Sequence, residues 1–172
     1  MLNVLFLCTH NSARSILSEA LLNHLDAQSA KPGRFRAYSA GSSPRENQQP
    51  HPLALEVLQS AGVPTEGLHS KGWEVFSGPD APTMDLIITV CDNAAGETCP
   101  IWPGHPATAH WGYPDPSEGD APEARKREAF RQTLHAISQR LQLLMSLPPE
   151  KLQKTLLQDA ARSLSSLSST SH

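Results

Sequence analysis

The sequence predicts an α/β fold: a four-stranded parallel sheet flanked by helices on both faces. Three observations predict it. Short apolar runs at 2–7 and 85–90 are rich in Leu, Ile, Val and Phe, the pattern of strands buried on both faces. Amphipathic helical stretches separate the strand-like runs. Chemistry-bearing residues follow strands directly, where parallel sheets bind their ligands.

The first strand is Leu2 to Leu7, and Cys8 follows it at once. Residues 14–29 are then helical, with Ile16, Leu17, Ala20, Leu21 and Leu22 at spacings of three and four and Glu19 and Asn23 on the polar side. Lys31-Pro32-Gly33 ends that helix. Residues 34–39 alternate as a second strand, with Ala40-Gly41-Ser42 as a turn. A polar loop over 47–52 leads into a helix from Pro52 to Ala61, with Pro52 in its first turn and Gly62 as C-cap. A short helix is expected around Trp73 to Phe76 and a turn over 78–82. The third strand is Asp85 to Val90, with Cys91 at its end. A long loop over 92–106 carries Cys99, and loops of that length are usually functional. Ala107 to Trp111 is the last strand and 112–116 a proline-stiffened turn. A long helix from Pro122 to about Leu147 carries Phe130, Leu134, Ile137, Leu141 and Leu144 as its core stripe; Pro148 and Pro149 break it. The domain is therefore placed at 1–147. Residues 148–172 form a C-terminal extension, a short helix over 150–164 and then a serine-rich tail expected to be disordered.

The chain of 172 residues has a formal charge of −3 and no long basic tract, which gives no reason to expect nucleic acid or an anionic membrane as partner. No stretch is apolar for long enough to span a bilayer, and the N-terminus lacks the basic and cleavage regions of a signal peptide, so a cytoplasmic protein is expected. Three cysteines, an odd number, suit a reducing compartment and point to chemistry rather than a disulfide framework.

The segment Cys8-Thr9-His10-Asn11-Ser12-Ala13-Arg14-Ser15 is where that chemistry concentrates. Backbone N–H groups of 9–14 can curl round one point at a helix N-terminus, which favours an anion there. Arg14 adds a planar fork of donors for two of its oxygens. The same field favours thiolate at Cys8, and Ser15 can donate to that sulfur. Asn11 tolerates left-handed backbone and shapes the loop. Read alone, Cys8 is otherwise a buried structural cysteine.

Cys8-x5-Arg14-Ser15 after an N-terminal strand resembles the phosphate-binding loop of low-molecular-weight protein tyrosine phosphatases and of the arsenate reductases built on their fold. The resemblance runs over about residues 1–146 and implies the strand order 2-1-3-4. In that family an Asp-Pro pair supplies the general acid, a role that falls here on Asp115; without the resemblance, Pro114-Asp115-Pro116 reads equally as turn chemistry. Ser117 stands where the phosphatases carry an aromatic residue. Val90-Cys91 through Cys99-Pro100-Ile101-Trp102 resembles the reductases' redox loop, as does His110-Trp111-Gly112. The resemblance thus implies arsenate reduction through a Cys8–Cys91–Cys99 thiol relay regenerated by thioredoxin, or alternatively by glutaredoxin and glutathione. It implies no metal or organic cofactor, with phosphate and sulfate as competing oxyanions. A zinc site of Cys91, Cys99, His105 and His110 has the right ligand types, but Cys-x7-Cys is wider than the usual knuckle. Some family members hold a potassium ion behind the loop, at positions matching Asn11, Glu19 and Ser39 and an acidic residue. Lys71 takes the acidic position here, so its ammonium either replaces the ion against Glu19 or is a solvated loop charge. Two further readings stand beside the reductase: a phosphatase using the same Cys8 and Asp115, and a non-enzymatic oxyanion or thiol sensor acting through the 150–172 tail.

Overall fold

The computed structural model describes residues 1–42, 46–76, 78–90, 106–117, 119–148 and 161–164. Strands β1 (Leu2–Cys8), β2 (Phe35–Gly41), β3 (Leu86–Thr89) and β4 (Ala107–His110) form one parallel sheet in the order β2-β1-β3-β4. Helices α1 (Arg14–Gln28), α2 (Pro52–Ser60) and α3 (Glu123–Met145) and a 3-10 turn at Trp73–Phe76 surround it. The order is the expected 2-1-3-4, and the central strands are buried on both sides. On one face of β1, Val4 and Phe6 pack with Leu17, Leu58, Ile137 and Leu141; on the other, Leu5 and Leu7 meet Ala40, Phe76, Met84 and Ile87.

α3 buries the stripe that its periodicity predicts, Phe130, Leu134, Ile137, Leu141 and Leu144. The turn between α1 and β2 is closed by Asp26, whose carboxylate accepts from the N–H groups of Gly33, Arg34 and Phe35 at 2.8, 3.1 and 3.1 Å. Gly33 there has φ +92°, a left-handed position that suits glycine.

One sequence expectation is corrected. Ala40 and Gly41 are not a turn: β2 runs on to Gly41, and Gly41 is the ladder partner of Cys8. The reason is the neighbouring strand, because β1 extends to Cys8 and its parallel partner stays in register beside it. Residues 161–164 are helical, with Ala161 and Leu164 in the core and the Trp111 indole N–H donating to the Ala161 carbonyl at 2.9 Å. The expected helix over 150–160, the tail beyond 164 and the 91–105 loop lie outside the described residues. No helix among the described residues is long and apolar enough to cross a membrane.

Candidate active site

Parallel pairing puts the carboxyl ends of all strands on one rim, and the loop after β1 rises from it. Cys8 is 5% exposed at its base. No side chain caps α1, whose first N–H groups are thereby left to the loop. Asn11 takes a left-handed conformation, φ +54°, as its residue type allows. Its side chain fixes the turn at both ends: Nδ2 donates to Ser15 Oγ at 2.8 Å, and Oδ1 accepts from the Lys71 N–H at 3.0 Å. The Ser70 hydroxyl donates to the Asn11 carbonyl at 2.6 Å. Ser15 is wholly buried; accepting from Asn11, it keeps its own O–H to donate.

Arg14 spans the loop and the turn after β4. Its Nη1 donates to the Tyr113 carbonyl at 2.9 Å, and its Nη2 stands 3.9 Å from Asp115 Oδ2. Its Nε is buried with no acceptor among the described residues, a donor suited to an anion in the loop. Burial pushes the Asp115 carboxyl upward. The hydroxyl and N–H of Ser117, donating at 2.7 and 2.9 Å, with the charges of Arg14 and His51, outweigh it and hold Asp115 below the usual carboxylate range. In this arrangement Asp115 is ionised at neutral pH.

Behind the loop, the Ser39 hydroxyl donates to Glu19 Oε1 at 2.5 Å, and Lys71 Nζ lies 3.8 Å from the same oxygen while donating to the His69 carbonyl at 2.8 Å. The Lys71 side chain is 12% exposed, so it is not a solvated charge. Burial lowers its pKa, and Glu19 opposes that.

Cys8, Asn11, Arg14, Ser15 and Asp115 thus come together on one rim, with Thr9, His10, Ser12 and Ala13 completing the loop; Glu19, Ser39 and Lys71 form a second group behind it. Cys91, Cys99 and His105 lie outside the described residues. Val90 is described, and its N–H donates to the Leu7 carbonyl at 2.9 Å, beside the residue that precedes Cys8. The Thr89 hydroxyl shares a hydrogen bond with His110 Nδ1 at 2.6 Å.

Two site residues escape sequence reasoning. A Cβ on Gly41 would stand 2.7 Å from the Thr9 carbonyl oxygen and 3.1 Å from the Asn11 nitrogen, so only glycine lets the anion loop lie against β2. The signal is a pairing partner 33 residues away, from 8 to 41, which periodicity does not reveal. His51 precedes α2 and shares with Cys8 and Asp115 a cleft of about 620 Å³. A histidine before a proline reads as loop, because histidine is not among the favoured capping residues.

A buried cysteine at the base of the loop after β1, an arginine across it and a sheet of this order are the features to compare with known proteins. The low molecular weight phosphotyrosine protein phosphatase family model matches residues 3–158. The chain belongs to that family. Among its relatives, an arsenate reductase of Bacillus licheniformis is 30% identical over 139 residues, which is 80% of this chain and 91% of the relative. A solved arsenate reductase in the reduced state matches with TM-score 0.62 and 26% identity, covering 85% of this chain and 98% of the other. A thioredoxin-dependent arsenate reductase of Corynebacterium glutamicum matches with TM-score 0.52 and 28% identity over 83% of this chain and 63% of that one.

Proposed function

We propose that this member of the phosphatase family is an arsenate reductase, working through Cys8, Cys91 and Cys99 and regenerated by thioredoxin. The observation that carries the reading is the Cys8 loop with Arg14 and Asp115 across it, on a chain whose third strand ends beside Cys8's neighbour and runs directly into a second cysteine. The arsenate reductases among its relatives support it, and the C. glutamicum structure, named as thioredoxin-dependent, favours that reductant over glutaredoxin and glutathione.

Arsenate binds the N–H groups of 9–14 and the Arg14 fork. Its charge then competes with Asp115 for Arg14. Asp115 then shares Arg14 with an anionic neighbour, which raises its affinity for a proton, and it takes one up. The Cys8 thiolate attacks arsenic, a sulfur–arsenic bond forms, and Asp115 gives its proton to the departing oxygen. The Cys91 thiolate attacks the Cys8 sulfur. The sulfur–arsenic electron pair passes to arsenic, arsenite leaves and a Cys8–Cys91 disulfide remains. Cys99 attacks Cys91, restoring the Cys8 thiolate, and thioredoxin reduces the Cys91–Cys99 disulfide. Lys71 holds Glu19 and Ser39 behind the loop in place of a cation. The role assigned to the whole is arsenic detoxification in the cytoplasm.

The same loop and acid suit phosphate-ester cleavage, and a weak phosphatase side activity is part of the proposal. The cleft favours a small inorganic anion. No tryptophan, tyrosine or phenylalanine is among its described lining residues, which include the polar run from Glu46 to Gln49. Cys91→Ser separates the two readings: arsenate turnover with thioredoxin should vanish while p-nitrophenyl phosphate hydrolysis persists. Arsenate turnover at the wild-type rate in Cys91→Ser would overturn the relay. Turnover with glutaredoxin and glutathione but not thioredoxin would overturn the reductant.

A further inference from the structure

His51 is held more tightly than a loop residue needs to be. Its backbone N–H donates to the Ser12 carbonyl in the anion loop at 2.7 Å, and its carbonyl accepts from Leu55 at 3.2 Å. Its side chain caps α2, with Nδ1 accepting from the Leu53 N–H at 3.1 Å. The ring rests on Phe130 of α3, centroids 4.8 Å apart. A nitrogen that accepts a backbone N–H carries no proton, so the neutral ring is the tautomer protonated on Nε2. The opposite edge carries that Nε2–H, and His51 and Asp115 line one cleft.

We propose that His51 is a positioning residue for Asp115: its Nε2–H takes one oxygen of the Asp115 carboxyl when a bound oxyanion claims Arg14, and so aims the other oxygen at the departing group. Only the identity of that oxyanion rests on the reductase reading. The proton that moves is Asp115's own, from its outer oxygen to the leaving oxygen; His51 keeps its proton throughout. The electrostatics agree with the pairing. Burial lowers the His51 pKa, Asp115 raises it and Lys126 of α3 lowers it, while His51 in turn helps to depress Asp115. Cys8, His10, Arg14 and Glu46 are the other titratable groups of the cleft. The Leu53 cap adds to the bias toward neutral imidazole, because protonating Nδ1 would set two donors against each other.

The test uses the full chain. Nitrogen-15 spectra of the wild type should report Nδ1 as the unprotonated nitrogen of His51. His51→Asn keeps a capping oxygen for Leu53 and removes the imidazole, so its thermal midpoint should match or exceed the wild type's. Carbon-13 titration of Asp115 should move upward in His51→Asn, and the His51 titration should move downward in Asp115→Asn. Neither measurement needs a substrate, so both are read whether or not arsenate is reduced. In turnover, His51→Asn should lower kcat about tenfold with KM little changed, a fraction of the ~100-fold or more that general acids contribute. The same kcat loss is expected with p-nitrophenyl phosphate, which calls on the same acid. A His51 protonated on Nδ1, or an Asp115 titration that superimposes on the wild type's in His51→Asn, would overturn the proposal. Shifted titrations without arsenate turnover would instead leave His51's role standing and sink the substrate assignment.

Discussion

Asp115 and Arg14 face each other across the loop after β1, 3.9 Å apart and of opposite charge. The carboxyl is held below its usual range by Ser117 and Arg14, so its stabilising effect is complete above the ordinary carboxylate pKa and fades as pH falls through the depressed folded value. Urea midpoints of Asp115→Asn should lose that acid-side slope below about pH 4, where unfolded aspartates titrate. His51 has the opposite chemistry but the same sign. Its folded pKa is lowered, so the unfolded chain binds more protons once pH drops below the ordinary histidine value of 6.5, and stability falls from there downward. His51→Asn should remove that slope. Gly41 makes a steric prediction. Gly41→Ala pushes the loop at Thr9 and Asn11, and a shift of this kind should lower kcat/KM about 100-fold while the sheet survives. At this scale the sequence was informative where motif and chemistry coincide, at Cys8, Arg14 and Asp115. It was silent at Gly41 and His51, whose importance comes from what lies across space.

The elements were legible where burial is periodic. α3 carries its apolar stripe at intervals of three and four, and β3 is a near-continuous apolar run, so tertiary packing and local pattern agree there. The end of β2 was not legible, because whether Ala40-Gly41 continues a strand depends on β1 beside it. The α1–β2 turn shows another hidden dependence. Lys31-Pro32-Gly33 announces a turn, but the group that holds it is Asp26, inside the preceding helix, 6% exposed and accepting three backbone N–H groups. Asp26→Ala leaves those donors to be satisfied by water in a confined site and should cost roughly 2–3 kcal/mol of unfolding free energy in urea titrations.

In the whole molecule, the C-terminal extension touches the site's foundation. Trp111 starts the turn that carries Tyr113 and Asp115, and it is 1% exposed with its indole bonded to Ala161. Arg162 adds contacts to Thr108 of β4, Nε to the carbonyl at 3.2 Å and Nη2 to the hydroxyl at 3.4 Å. A chain stopped after residue 160 should lose roughly 2–4 kcal/mol of stability, from the apolar surface of Ala161 and Leu164 and the orphaned indole donor. The bond from Arg14 to the Tyr113 carbonyl has a consequence for biosynthesis. It ties the first helix to a residue made 99 positions later. A nascent chain therefore carries Cys8 through most of translation without the clasp that closes its loop. Arg14 is fixed across the loop only after β3 and β4 have left the ribosome and docked. The setting of the sulfur is thus assembled last, although the residue itself is among the first to be made.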